Sequence, residues 1–357
     1  IKKELDKYAK EYKAMFERQA PQADQPKTML PTDPKNIWME GIGLIGLGAN
    51  AKAASIAGDL VVQNARVRAI GEDAGGFRPI SEKDLFDCEY WSLEQAKLGK
   101  GAPPKFQGKV VMITGGSGTI GFAIAEAFSK LGAQTILVDK DDKALKEAVT
   151  KLGVGHKYFP IDVTHSDAAK QALLAAINNF GGLDILISNA GAAHAGPMLD
   201  ISNEELRNAF ELNFFSHYSF STEAAKILKD QNRGGQILFN ISKQAVNPGK
   251  NFGAYGLPKA TTFFLMRQLA LELGSDGIRV NGINADRIRS GLLTDEFISS
   301  RAKSRGVSES EYMAGNLLNK EVTAEHVADA FTALACAEST TGHVMTVDGG
   351  NIEASLR

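Results

Sequence analysis

Cysteine is almost missing from this sequence: Cys88 and Cys336 are the only two, far outside any C-x-x-C spacing. That excludes a disulfide framework, a zinc ribbon and a dithiol redox centre, and a reducing, cytoplasmic setting is expected. An excess of charge is missing too, with 40 Lys and Arg against 42 Asp and Glu. There is thus no basic field to draw the chain onto nucleic acid or an anionic membrane. No apolar run reaches the ~18 residues of a membrane span. The start, Ile1-Lys2-Lys3-Glu4, lacks the apolar stretch of a secretory signal. Internal repeats and low-complexity tracts are absent as well. A small-molecule partner is the expectation that remains, with no nucleic acid and no membrane.

What is present divides into two patterns. Within residues 1–104, Leu5, Tyr8, Tyr12 and Phe16 recur at helical spacing, which predicts a helix docked by one face. A linker rich in proline and polar residues (Ala20 to Pro34) follows. Ile37 to Ile70 reads as a short apolar strand and then a helix, and Asp84 to Leu98 as a further helical segment. Gly41-Ile42-Gly43-Leu44-Ile45-Gly46 has the spacing of a nucleotide turn, but no βαβ unit follows and Arg66 lies near the place for the acid. An apolar strand or turn is the better reading. Gly99-Lys100-Gly101-Ala102-Pro103-Pro104 then breaks all periodicity and marks the domain boundary.

From 105 to 357, short Val/Ile/Leu runs alternate with amphipathic stretches. The runs are Val110–Thr114, Thr135–Val138, Tyr158–Ile161, Ile185–Ser188, Gln236–Ile241, Arg279–Ile283 and Val344–Val347. Helices are expected at Ile120–Leu131, Asp167–Phe180, Asn203–Leu228 and Lys259–Leu273. Seven buried strands separated by helices predict an α/β fold: a Rossmann-type, doubly wound, parallel seven-stranded sheet, preceded by a mostly helical N-terminal segment.

The first strand runs into Gly115-Gly116-Ser117-Gly118-Thr119-Ile120-Gly121, a helix starts there, and Asp139 closes the next strand 18 residues after Gly121. Glycines let the backbone turn tightly and approach a pyrophosphate, which the amides of the helix N-terminus then hold. An aspartate at that strand end can accept both hydroxyls of an adenosine ribose and repels a 2′-phosphate, so NAD is expected over NADP. Lys140 beside it softens the discrimination.

Tyr255 and Lys259 stand at i and i+4 at the start of a long apolar helical stretch, so phenol and ammonium project from one face. A phenol ionises near pKa ~10, and an adjacent ammonium favours the phenolate, which makes a usable acid/base. Pro258 is tolerable if it falls in the first helical turn. Ser242, 13 residues before Tyr255, ends the fifth strand, where its hydroxyl can either hold a substrate carbonyl or serve structure. Asn213, polar within an apolar helix, either satisfies backbone groups or orders a water beside Lys259.

Together these residues resemble the short-chain dehydrogenase/reductase family over roughly 106–350. The resemblance includes Asp162-Val163 after the third strand, Ser188-Asn189-Ala190-Gly191 after the fourth, and the closing Asp348-Gly349-Gly350. It implies Tyr255 as acid/base, Lys259 as its tuner and a ribose ligand, Ser242 as orienter of the carbonyl, and Asn213 as the end of a proton relay. It also implies a cofactor cleft made by Gly115, Ser117, Gly118, Thr119, Ile120, Gly121, Asp139, Asp162, Val163, Asn189, Ala190, Gly191, Tyr255 and Lys259, and a homo-oligomer, dimer or tetramer. Three departures stand out: Thr119 replaces a glycine of the main branch, Lys243 replaces a common second serine, and Ala285-Asp286-Arg287-Ile288-Arg289 replaces the usual Pro-Gly. Anchoring on the strand selects Lys243 as the catalytic position, whereas counting back from Tyr255 selects Ser242. Arg287 and Arg289 either clamp an anionic substrate or pair with acids such as Asp286 and Asp295.

The whole chain is also similar to the C-terminal half of bifunctional proteins of sugar catabolism, in which a class II aldolase domain of the rhamnulose-phosphate type precedes the dehydrogenase. All six histidines (His156, His165, His194, His217, His326, His343) lie beyond residue 105. Residues 1–104 therefore read as an aldolase tail without a metal site. The expected reaction is hydride transfer between NAD and a small sugar-derived alcohol or aldehyde, lactaldehyde-like by the resemblance. A residual lyase, a non-catalytic NAD-binding scaffold and an NAD-retaining epimerase or dehydratase are the rivals.

Overall fold

The structure is a computed structural model that describes residues 1–96, 98, 102–193 and 195–351. Gly99, Lys100 and Gly101 of the boundary stretch, Lys97 and His194 lie outside the described residues. The chain forms two compact units, Ile1–Gly108 and Lys109–Arg357.

In the first unit, α1 (Lys2–Gln19) turns Tyr12, Met15 and Phe16 toward Phe86 and Tyr90 of the segment around α3 (Glu82–Glu89). The rings of Phe86 and Tyr90 stack at 4.6 Å, and Arg18 forks onto Glu82 at 3.1 and 2.7 Å. Between these helices, residues 36–46 form a hairpin of β1 (Asn36–Met39) and β2 (Gly43–Gly46), followed by α2 (Ala51–Asp73). Where one strand was expected there are two, because Gly41 (φ 75°) and Gly43 (φ 125°) reverse the chain. The Gly41–Gly46 pattern is thus an antiparallel turn and strand. Its last glycine admits the helix: a Cβ on Gly46 would lie 2.4 Å from the Ala54 carbonyl oxygen. The stretch expected as one helix to Leu98 is broken after Glu89, and a short α4 (Ser92–Gln95) follows.

The second unit carries β3 (Val110–Thr114), β4 (Gln134–Asp139), β5 (Lys157–Pro160), β6 (Ile185–Ser188), β7 (Gly235–Asn240), β8 (Ile278–Ala285) and β9 (Val344–Val347). These form one seven-stranded sheet in the order β5-β4-β3-β6-β7-β8-β9, with every neighbouring pair parallel. Its helices are α5 (Thr119–Lys130), α6 (Asp142–Leu152), α7 (Ala168–Phe180), α8 (Asn203–Phe210), α9 (Ser216–Gln231), α10 (Gly253–Leu273), α11 (Asp295–Arg305), α12 (Glu309–Met313) and α13 (Ala324–Cys336). Central strands are covered on both faces, which is why all five residues of β3 are apolar or tightly bonded and all are buried. Ala172 and Leu173 of α7, Phe220 and Leu228 of α9 and Met266 and Leu269 of α10 belong to one core cluster with the strands. Burying each such large side chain stabilises the fold by about 1.5–3 kcal/mol. The chain leaves β3 for β4 and β5, then returns to β6 on β3's other side. That reversal opens a crevice at the carboxyl ends of β3 and β6.

Two helices differ from expectation. The span Asn203–Leu228 is interrupted by a π-helical segment, Glu211–Phe215, which carries Asn213; such insertions are frequent at functional positions. α10 begins at Gly253, so Pro258 sits inside it rather than in its first turn. The helix consequently forgoes one amide bond there, and the apolar face of α10 against the core offsets the loss. Among the described residues, no helix is long and apolar enough to cross a membrane, and no cluster of His, Cys, Asp and Glu could hold a metal ion.

Candidate active site

The glycine turn after β3 is held by close backbone approaches. Gly115 has φ 64°, and a Cβ on it would lie 3.0 Å from the Ala190 Cα. A Cβ on Gly121 would come within 2.0 Å of the Gly115 carbonyl oxygen. The first intrahelical bond of α5 runs from the Phe122 amide to the Gly118 carbonyl at 2.8 Å. Thr119, Ile120 and Gly121 thus occupy the first helical positions, whose amides a helix leaves to an external acceptor. Thr119 needs no left-handed backbone, so its side chain replaces a glycine without strain.

Asp139 ends β4 beside this turn. Its Oδ2 accepts from the Ser117 hydroxyl (2.7 Å) and amide (3.3 Å), and its Oδ1 from the Lys140 amide (2.8 Å). Ser117 therefore acts through Asp139, fixing a carboxylate next to the turn. Asp162 follows β5 and accepts from the Thr164 amide and hydroxyl at 3.0 and 2.7 Å, which hold its carboxyl below its ordinary range. Val163 next to it is buried.

At the end of β6, Asn189 ties three strands together. Its side-chain amide donates to the carbonyls of Thr114 (2.9 Å) and Gly115 (3.3 Å), and its Oδ1 accepts from Asn240 of β7 at 2.9 Å. The Thr114 hydroxyl in turn accepts from the amides of Asn189 and Ala190 at 2.9 and 3.0 Å. Gly191 provides clearance, since a Cβ there would lie 2.9 Å from Asn213 Oδ1 and 3.5 Å from Lys259 Nζ. Asn213 is buried and fully engaged: Nδ2 donates to the carbonyls of Ala192 (3.0 Å) and Ala209 (3.1 Å), and Oδ1 accepts from the Ala192 amide at 3.3 Å. Its own carbonyl accepts from Thr262 of α10 at 2.7 Å. Of the two readings open for this residue, bonding to the backbone is the one this structure displays.

Ser242, Tyr255 and Lys259 meet between β7 and α10. The Tyr255 phenol is hydrogen-bonded to Ser242, whose Oγ also accepts from the Gln244 amide at 3.2 Å. Lys243 points elsewhere, its Nζ pairing with Asp286 Oδ1 at 2.7 Å. Lys259 is 2 % exposed; its Nζ donates to the Asn240 carbonyl at 3.0 Å and lies 5.8 Å from the Tyr255 ring centroid. Burial pushes the phenol up to about 12, a rise that the Ser242 hydroxyl opposes. Burial also pushes the lysine down to about 7, so near neutral pH it carries only part of its charge.

The two arginines after β8 are both engaged within the chain. Arg289 bonds Glu321 at 2.7 Å and pairs with Asp295. Arg287, at φ 52°, donates to the Tyr312 carbonyl at 2.7 Å and lies 4.9 Å from that ring's centroid. A left-handed arginine costs about 1 kcal/mol or more, which these contacts offset. Asp286 between β8 and Arg287 accepts from Asn351 at 2.6 Å. Sequence reasoning missed Asn240, Thr262 and His217, which support the site through contacts distant in sequence. The polar residue at the end of β7 was the one available signal, for Asn240.

Comparison with known proteins agrees with this geometry. Residues 116–351 match the family model described as Enoyl-(Acyl carrier protein) reductase, and residues 1–98 match Aldolase class II, second domain. The "Uncharacterized oxidoreductase YuxG" of Bacillus subtilis (strain 168) is 32% identical over 365 residues, covering 98% of this chain and 52% of that protein. The chain thus spans about half the length of this relative. Secoisolariciresinol dehydrogenase of Forsythia intermedia is 31% identical over 257 residues, 69% of this chain and 90% of the relative. Among solved structures, L-sorbose reductase of Gluconobacter frateurii, complexed with NADPH and L-sorbose, has a TM-score of 0.63 at 29% identity, covering 70% of this chain and 98% of that one. A 3-ketoacyl-(acyl-carrier-protein) reductase of Brucella melitensis, complexed with NADH, scores 0.61 at 25% identity, with 68% and 98% covered. The chain belongs to the short-chain dehydrogenase/reductase family, with an aldolase class II second-domain segment at its N-terminus.

Proposed function

We propose that the protein is an NAD-dependent oxidoreductase that interconverts a hydroxyl and a carbonyl on a small sugar-derived alcohol or aldehyde, with lactaldehyde-like compounds first among candidates. The observation that carries this reading is the meeting of Ser242, Tyr255 and Lys259 between β7 and α10, beside a glycine turn too tight for any side chain at Gly121. The residues present fit a dinucleotide. The amides of Thr119, Ile120 and Gly121 would hold its pyrophosphate, Asp139 its adenosine ribose, Asp162 and Val163 its adenine edge, and Lys259 its second ribose. Bound there, the nicotinamide supplies or accepts the hydride.

The chain's own residues manage the proton. With its pKa up at about 12, the Tyr255 phenol is protonated at neutral pH and donates to a carbonyl oxygen as that oxygen gains charge. Ser242, bonded to the phenol, orients the same oxygen and stabilises its developing charge. In the reverse direction the Tyr255 phenolate takes the proton back; a positive Lys259 favours the phenolate, and so the donating step. Asp139 supports NAD over NADP through its charge beside the turn, while the similar proteins include users of either cofactor. The sugar-derived substrate draws support from the aldolase-class segment and from the likeness to L-sorbose reductase.

A panel of small sugars, deoxy-sugars and hydroxy-aldehydes, scored by NADH absorbance, tests the reading. Tyr255→Phe should lower turnover on the best substrate by about 10²–10⁴ while leaving cofactor affinity intact. Near-normal turnover in that variant would refute the mechanism.

A further inference from the structure

Behind Lys259 lies a buried histidine that the chemistry described above does not use. His217 is on α9, four residues beyond Asn213, and is 1 % exposed. Its Nε2 lies 3.4 Å from Lys259 Nζ, and its Nδ1 lies 2.6 Å from the hydroxyl of Ser188 at the end of β6. Ser188 is likewise 1 % exposed. A continuous polar line therefore runs through the core from Ser188 to His217, to Lys259, and on to the Asn240 carbonyl at 3.0 Å.

We propose that His217 is the positioning residue for Lys259: its neutral ring offers the Nε2 lone pair to the lysine, pins Nζ against the Asn240 carbonyl and stabilises the ammonium form. The inference rests on the reading of Lys259 as the residue that serves cofactor and phenol. An ammonium has three donors and no lone pair. Opposite a charged Lys259, Nε2 must therefore be unprotonated, and the ring's one proton sits on Nδ1 and goes to Ser188. Two of the lysine's three N–H bonds are then taken by Asn240 and His217, and the third remains for a ligand. A doubly protonated ring would set two positive charges 3.4 Å apart in a buried site. Burial first, and Lys259 second, hold the imidazole well below its ordinary value, while a bond to the Ala190 backbone opposes them. The groups around the ring are Ser188 and Ala190 from β6 and its end, Phe239 and the Asn240 carbonyl from β7, and Lys259, with Tyr255 beyond it, from α10. Lys259 supplies the charge in this set.

The test uses the full chain and needs no substrate. Ring ¹⁵N resonances of the wild type are followed from pH 5 to 9, with His217 assigned by its loss in His217→Gln. A ring that stays neutral with its proton on Nδ1 supports the proposal. One that titrates near 6.5, or carries its proton on Nε2, overturns it. A double-mutant cycle of His217→Leu with Lys259→Met, read as unfolding equilibria at pH 6.5 and 9.5, tests the coupling directly. The coupling should be tenfold or more at pH 6.5 and approach onefold at pH 9.5, where a neutral lysine needs no acceptor. A coupling that ignores pH belongs to packing and overturns the assignment. Should His217→Leu fail to fold, the cycle is run with His217→Gln, whose carbonyl keeps an acceptor for the lysine, so the measured coupling should fall close to onefold at both pH values; a coupling that stays tenfold at both belongs to packing and overturns the assignment. Failure of both NAD and NADP to bind the wild type would refute the functional reading instead, independently of the ring's tautomer.

Discussion

Replacing Lys259 by methionine isolates the energetics of the site in one side chain of similar length. In the folded chain the lysine loses its proton near 7, against 10.5 when unfolded. That gap corresponds to about 5 kcal/mol of penalty on the charged form. Between those two values the unfolded chain holds more protons than the folded one, so stability rises with pH through this window. At pH 7 the penalty amounts to about 4 kcal/mol, and by pH 9.5 to about 1 kcal/mol. Lys259→Met has no proton to lose, so its advantage over the wild type should shrink by about 3 kcal/mol across that range. The exchange of a neutral amine for a thioether adds a roughly constant offset, since what the ammonium gains from Asn240 and His217 is already contained in its folded pKa. Below pH 10 the Tyr255 phenol, pushed up to about 12, is protonated in both states and stays out of the difference. The assay is urea unfolding followed by far-UV circular dichroism at pH 7, 8, 9 and 9.5. Tryptophan fluorescence would follow the wrong unit, because Trp38 and Trp91 both belong to the first. A stability difference that does not move with pH would show that burial leaves the lysine unshifted, and the electrostatic account of the site would fall.

Three further outcomes are expected. Calorimetric titration should find NAD tighter than NADP, and Asp139→Ala should narrow the gap by removing the repulsion of a 2′-phosphate; equal affinities in the wild type would take Asp139 out of that role. In Gly191→Ala the new methyl would sit 2.9 Å from Asn213 Oδ1, so the asparagine must move and turnover should drop about tenfold or more; unchanged turnover would show that the clearance is dispensable. Asp286→Ala strips Lys243 of its partner at 2.7 Å and frees the Asn351 amide, which should cost about 2–4 kcal/mol in urea unfolding; a loss under about 0.5 kcal/mol would mean that the pair is replaceable.

The sequence by itself determined the sheet and the chemistry-bearing positions that lie along single elements. Runs such as Val110–Thr114 and Ile185–Ser188 are strands in the structure because both faces of a central parallel strand are buried, and that need is written in consecutive apolar residues. The glycine turn and the i, i+4 spacing of Tyr255 and Lys259 are local as well, set by a few backbone angles and one helical turn. Tertiary structure alone decided the rest. Whether Ser242 or Lys243 faces Tyr255 depended on Asp286, 43 residues away, taking the lysine. The engagement of Asn213 depended on a π-helical turn and on the backbone of Ala192, neither of which leaves a periodic trace. The charge state of Lys259 was decided by burial against the end of β7 and the ring of His217. Periodicity reports which face of an element is dry. It does not report which polar groups from other elements share that dryness, and in a buried site those partners fix pKa, tautomer and orientation.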